Sequence, residues 1–296
     1  MGKRVLVTGS GGFTGRFVCD EFTRAGWEVW GAGVQPGPNA TRFVAFDLKN
    51  PATLEPIATT IKPDVVVHLA ATAFVGHGDP NDFYQTNTLG TRNLLEAIDK
   101  GTYRPQCVIL ASSANIYGNR LAGRLDEATA PDPVNDYAVS KLAMEYLARL
   151  WMERLPIVIV RPFNYTGVGQ SRDFLIPKIV AHIRAQSAVI ELGNLDVSRD
   201  FSDVRDIARY YRMLAEQAPV GETINFCSGR LYTLRDVIAE ASTIAGHAIE
   251  VQVNPAFVRG NEVKELCGDP QKLQRLVGNA KTIALPDTLR WMLTAP

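Results

Sequence analysis

In the first half of the chain the apolar positions come in short unbroken runs, each followed by a longer stretch in which they recur every three or four residues. The pattern predicts strands over 4–8, 28–32, 43–46, 64–70, 106–112 and 157–161, with helices over 13–25, 52–61, 83–98 and 136–153 between them. Strands that are apolar on both faces and joined by helices form a parallel sheet covered on both sides, an α/β doubly wound Rossmann arrangement. After about residue 165 the rhythm loosens. Gly167, Gly169 and Pro177 interrupt it, strands shorten (188–192, 223–227, 249–253), and helices are predicted over 174–185, 204–217, 234–245 and 286–293. The reading that follows is a dinucleotide-binding domain over 1–165 and a smaller α/β substrate-binding lobe over 166–296, with an approximate boundary that the chain can recross. A ligand cleft is expected between them.

Composition narrows the function classes. The 296 residues are 46% hydrophobic and 21% charged, ordinary for a globular protein. Lys plus Arg and Asp plus Glu both number 31, so no net field draws the chain to nucleic acid or to a membrane surface. The longest near-continuous apolar run, 65–73, contains His68 and falls far short of the roughly 20 residues of a spanning helix. Lys3 and Arg4 precede only three apolar residues, unlike a signal peptide, and a cytoplasmic location is expected. Cys19, Cys107, Cys227 and Cys267 are scattered as reduced, buried thiols would be, and with His68, His77, His182 and His247 they lack the spacing of a metal site.

The first strand runs directly into Gly9-Ser10-Gly11-Gly12-Phe13-Thr14-Gly15 and then a helix. Glycines at that junction allow a tight turn and let backbone amides at the positive end of the helix approach a pyrophosphate. A carboxylate for the adenosine ribose is expected about 20 residues later. That stretch, Gly31 to Gln35, has none, which tilts the cofactor toward NADPH over NADH. Arg16 or Arg42 would have to reach the ribose phosphate. Asp47, after the third strand, suits the adenine edge or a helix cap.

Tyr137 and Lys141 stand four apart on one helical face. A free phenol, with a pKa of about 10, exchanges protons poorly at neutral pH, and an adjacent ammonium favours its ionised form. The pair can therefore give and take a proton, although the same spacing also occurs on ordinary surface helices. Ser113 follows the strand 106–112, and the carboxyl ends of strands line the crevice of such a sheet. Its hydroxyl is placed to hydrogen-bond a substrate oxygen.

These residues, with His68-Leu69-Ala70-Ala71, the run Asn87 to Ala97 and Arg161-Pro162-Phe163-Asn164, resemble the extended short-chain dehydrogenase/reductase family over essentially the whole chain. The resemblance implies a catalytic Ser113, Tyr137 and Lys141, with Asn87 near the proton relay. It also implies cofactor contacts from Gly9, Gly12, Phe13, Gly15, Asp47, Leu48, Leu69, Ala70, Ala71, Asn87, Tyr137 and Lys141, a nucleotide-sugar site in the second lobe, and a homodimer formed through helices 83–98 and 136–153. Segments 193–206 and 223–229 look like the GDP-mannose branch, nearest its reductases of GDP-linked 4-keto-6-deoxyhexoses. By that likeness Asn164, Lys178, Arg199, Arg259 and Glu262 contact substrate, although Gly260 replaces a usual proline. Asn115 occupies a position where dehydratases commonly carry an acid, and an amide cannot act as a general base. The expected activity is NAD(P)H-dependent reduction of a GDP-linked 4-keto sugar. A 4-epimerase holding NAD tightly, and a dinucleotide sensor without catalysis, are the competing readings.

Overall fold

The computed structural model describes residues 2–36, 42–73, 79–119, 123–258, 263–278 and 280–295. The strands are β1 (Arg4–Thr8), β2 (Glu28–Gly33), β3 (Arg42–Ala45), β4 (Val65–His68), β5 (Cys107–Ala111), β6 (Ile157–Pro162) and β7 (Asn164–Thr166), then β8 (Val189–Leu192), β9 (Ser198–Asp203), β10 (Thr223–Phe226), β11 (Leu231–Thr233), β12 (Glu250–Val253) and β13 (Glu265–Leu266). The helices are α1 (Phe13–Arg24), α2 (Pro80–Phe83), α3 (Gly90–Lys100), α4 (Asp136–Arg149), α5 (Leu175–Arg184), α6 (Val204–Gln217), α7 (Leu234–Ala245), α8 (Gln271–Val277) and α9 (Leu285–Thr294). An underwound π-helical stretch, Tyr84–Leu89, joins α2 to α3.

Seven parallel strands form the main sheet in the order β10-β6-β5-β4-β1-β2-β3. The alternation of side chains explains the unbroken apolar runs. Val5, Val7, Val65, Val67 and Ile109 pack on Phe22, Ile207, Tyr211 and Leu214 of α1 and α6. Their neighbours Leu6, Val66, Val108 and Leu110 pack on Leu94, Leu95, Met144 and Ala148 of α3 and α4. Strand order reverses between β1 and β4, which opens a crevice at their carboxyl ends. β10 lies beyond residue 165 yet pairs with β6, so the chain returns to the main sheet after building part of the second lobe.

Among the segments that differ from the pattern's prediction, two shape the architecture. The helix expected over 52–61 is a 3₁₀ turn, Pro51–Leu54, followed by a π-helical stretch, Ile57–Ile61. Pro51, Pro56 and a β-branched run disfavour a regular α-helix there. The polar segment Ser198–Asp203, predicted as no strand, is the hub of the second lobe: β9 pairs with β7, β11 and β13. Behind it, α5, α7 and α9 close an apolar core with the β8–β12 pair.

Candidate active site

The crevice is built first by backbone. Gly9 has φ +69°, and a β-carbon there would stand 2.8 Å from the Ala70 amide nitrogen; one on Gly15 would run into the Gly9 carbonyl oxygen. Only glycines let the turn, the start of α1 and the end of β4 close on one another. Gly12 caps α1 without a side-chain bond, which leaves the first-turn amides of Phe13 and its neighbours for an anion. Ser10 Oγ and Ser112 Oγ are buried there without a protein partner. This cradle fits a dinucleotide pyrophosphate.

Around it, the Leu69 and Ala70 amides donate to Thr8 Oγ1, with half-buried Ala71 next in the chain. Leu48 is buried beside exposed Asp47, whose Oδ1 accepts from the Lys49 amide, so Asp47 does cap a turn. The end of β2 carries no acid, and Val34 there is exposed. The two arginines considered for a ribose phosphate are engaged elsewhere. Arg42 sits at the amino end of β3, paired with Glu28 at 3.3 Å and stacked on Trp30, and Arg16 donates to the Gly169 carbonyl at 3.0 Å.

Ser113 caps the short 3₁₀ turn Ala114–Tyr117, its Oγ accepting from the Asn115 amide at 3.2 Å, and it hydrogen-bonds Tyr137. Tyr137 lies in the first turn of α4, held by Asn135, whose side chain accepts from the Ala138 amide. Its half-buried ring meets Phe83 edge-on at 5.9 Å. Lys141 Nζ donates to the Ala111 carbonyl at 2.7 Å, so in this state the ammonium is anchored to the strand end. Burial pushes the Tyr137 hydroxyl up to about 12, with the Ser113 bond pulling it back. It also pushes Lys141 down to about 8, with the charge of Glu145 pulling it back up. Lys141 is not among the groups that shift the phenol, so the expected acidification by the ammonium does not appear here; desolvation dominates and Tyr137 keeps its proton at neutral pH.

Asn87 is buried with its amide fully engaged. Oδ1 accepts from the Thr72 amide, and Nδ2 donates to Thr72 O and to Ser140 Oγ. With both amide hydrogens given away it braces the site rather than carrying protons. One turn beyond Lys141, Glu145 forms a fully buried bidentate pair with Arg161 at 2.9 and 2.7 Å. Sequence reasoning passed over this pair and over Tyr165, which stacks on Phe13 at 6.2 Å and bonds Thr14 Oγ1 at 2.7 Å, tying α1 to β7, the strand that pairs with β9. A charged residue at i+4 from Lys141 was the available sign of the first, whereas nothing in the local pattern pointed to Tyr165.

In the second lobe, Asn164 Nδ2 is buried without a partner. Lys178 Nζ donates to Glu191 O and lies 4.5 Å from the Phe257 ring centre. Arg199 donates to the carbonyls of Ser198 and Lys264. Arg259, Gly260 and Glu262 lie outside the described residues.

A glycine turn at the switch point, with a Ser, a Tyr and a Lys gathered at the neighbouring strand end, defines a dinucleotide-dependent oxidoreductase of the extended short-chain dehydrogenase/reductase class. The family model described as GDP-mannose 4,6 dehydratase matches residues 6–292, and the chain belongs to that family. It is 37% identical to a GDP-6-deoxy-D-talose 4-dehydrogenase of Aggregatibacter actinomycetemcomitans over 93% of this chain and 92% of that one. It is 33% identical to a GDP-6-deoxy-D-mannose reductase of Pseudomonas aeruginosa over 99% and 97%. Among solved structures, a candidate epimerase from Burkholderia cenocepacia J2315 superposes with a TM-score of 0.93 at 52% identity, covering 99% of this chain and 97% of that one. The RMD protein from Pseudomonas aeruginosa, complexed with NADPH, superposes with a TM-score of 0.86 at 31% identity, covering 99% and 98%.

Proposed function

We propose that this protein reduces the 4-keto group of a GDP-linked 4-keto-6-deoxyhexose, with NADPH or NADH as reductant, to GDP-D-rhamnose or its 4-epimer GDP-6-deoxy-D-talose. The observation that carries the reading is the grouping at the strand end of Tyr137, hydrogen-bonded to Ser113, with Lys141, whose ammonium is anchored to the Ala111 carbonyl. The two relatives named for GDP-6-deoxy sugars supply the substrate class. Asn115 offers no carboxylate for a dehydration.

A reduced nicotinamide, when bound, supplies hydride to the carbonyl carbon. Ser113 holds the carbonyl oxygen, and Tyr137 gives that oxygen its proton as negative charge develops. Lys141 places positive charge beneath the phenol, and the buried Glu145 favours that charge. Lys178 and Arg199 hold the diphosphate, Arg259 and Glu262 bind the nucleotide, and Asn164 contacts the substrate. The protein works in the cytoplasm as a homodimer that pairs through α3 and α4.

Purified protein incubated with GDP-4-keto-6-deoxy-mannose and each reduced cofactor should oxidise at least one of them, with product configuration read by NMR. If neither is oxidised, reduction is refuted. The 4-epimerase reading has its own support in the epimerase neighbours, one of them from Thermus thermophilus in complex with NAD. It predicts copurified NAD and turnover without added reductant.

A further inference from the structure

His68 ends β4 at the crevice and has no part in the proposed chemistry. It is 4% exposed, with Nδ1 2.7 Å from Thr8 Oγ1 and Nε2 3.0 Å from Thr91 Oγ1. The other bonds of those hydroxyls settle which nitrogen carries the hydrogen. Thr91 Oγ1 gives its single hydrogen to the Asn87 carbonyl at 2.7 Å, so it can only accept from the ring, and Nε2 is the donor. Nδ1 is then a bare lone pair. Thr8 Oγ1 already accepts the Leu69 and Ala70 amides at 3.2 and 3.1 Å and gives its own hydrogen to Nδ1. The ring thus donates at Nε2 and accepts at Nδ1.

We propose that His68, as the neutral Nε2–H tautomer, is a positioning residue that locks the cofactor-binding turn to the catalytic helix. On one side Thr8 immediately precedes Gly9, whose backbone packs on Ala70. On the other, Thr91 fixes the backbone of Asn87, whose side chain donates to Thr72 O and Ser140 Oγ, and Ser140 donates to the Tyr137 carbonyl at 2.8 Å. Protons cannot travel this path, because covalent bonds separate the Asn87 carbonyl from its amide; what it transmits is position. A charged ring would leave Thr8 with no acceptor for its hydrogen. Burial and the facing Lys141 charge oppose it too, pushing His68 down to about 3.

The inference rests on the cofactor reading of the crevice, and two substitutions divide it. Asn places Oδ1 where Nδ1 accepts, so His68→Asn keeps the Thr8 half. NADPH affinity by fluorescence titration should stay within about 3-fold while kcat falls about 10- to 100-fold. Gln places an amide N–H where Nε2 donates, so His68→Gln should do the reverse, weakening NADPH about 10-fold with kcat at saturation within about 3-fold. Thr91→Val should mimic His68→Asn, and Thr91→Ser should restore the wild-type values. Affinity and kcat falling together in both His68 variants would overturn the proposal. A readout independent of turnover and of variant folding is imidazole ¹⁵N NMR of the wild-type protein. One histidine should show a protonated Nε2 and bare Nδ1 that do not titrate between about pH 5 and 8; if all four histidines titrate there, or the buried one is protonated at Nδ1, the assignment is wrong. That spectrum stands whatever sugar the enzyme reduces, so a failed turnover assay with the expected spectrum refutes the function and leaves the tautomer intact.

Discussion

A phenol that must donate a proton is best kept neutral until charge develops next to it, and burial does that for Tyr137, pushing it up to about 12. Tyr137→Phe should lower kcat at least about 100-fold while the thermal melting curve stays near wild type, because a half-buried ring of the same shape remains. Cofactor oxidation and differential scanning fluorimetry check this together. Lys141 is the group whose charge is at risk. Its folded value of about 8 lies below the ordinary 10.5, so the ammonium is present below about pH 8 and lost as pH rises through it. At saturating cofactor, kcat should fall with rising pH above about 8, and a flat profile to pH 10 would sever Lys141 from the chemistry. His68 adds an acid limb to stability. Folded near 3 and unfolded near 6.5, it binds its proton more readily when unfolded, so stability falls as pH drops from about 6.5 toward 3. Urea midpoints across that window should show the slope, and it should be shallower in His68→Asn. The sequence exposed Ser113, Tyr137 and Lys141 because spacing and strand ends are local. It could not expose whether ammonium or burial governs the phenol, since that depends on what packs around them.

Among the elements, legibility followed burial type. Strands such as β4 and β5 are apolar on both faces and read directly, whereas β9 hides because its buried positions, Asp200, Ser202 and Asp203, are polar. Asp200 is wholly buried and accepts from Ser228 N, Ser228 Oγ and Gly229 N at 2.8, 2.6 and 2.8 Å, and Asp203 accepts from Thr288 Oγ1 at 2.7 Å. A carboxylate satisfied by loop amides looks in sequence like a loop residue. The glycine turn was legible for the opposite reason: absent side chains are themselves the signal. Gly15→Ala should therefore weaken NADPH binding by at least about 10-fold, since its β-carbon would push α1 away from the Gly9 carbonyl. The Glu145–Arg161 pair makes a second prediction at this scale. Glu145→Gln strips the charge partner from a buried guanidinium and should destabilise the fold by about 3 kcal/mol, read by chemical denaturation.

At the scale of the whole molecule, the two lobes are stitched together beside the glycine turn. Thr14 bonds Tyr165, Arg16 bonds Gly169, and Phe17 meets Trp291 edge-on at 5.9 Å. With α6 and β10 returning to the main sheet, the base of the crevice is held rigidly. That leaves the outer surface of α4, whose inner side presents Tyr137 and Lys141. Val139, Tyr146 and Leu150 follow one another at helical spacing on it and are 38%, 56% and 80% exposed, with Leu89 at 42% on the neighbouring helical stretch. Apolar side chains aligned on one helix face suit a self-complementary two-fold contact, in which each copy covers the other's α4. Such a contact would also buttress the helix that carries Tyr137 and Lys141. The protein should sediment at twice the chain mass, and Tyr146→Glu combined with Leu150→Glu should shift it to monomer with its melting curve preserved. A wild type that sediments as a monomer at micromolar concentration would leave these side chains without that partner.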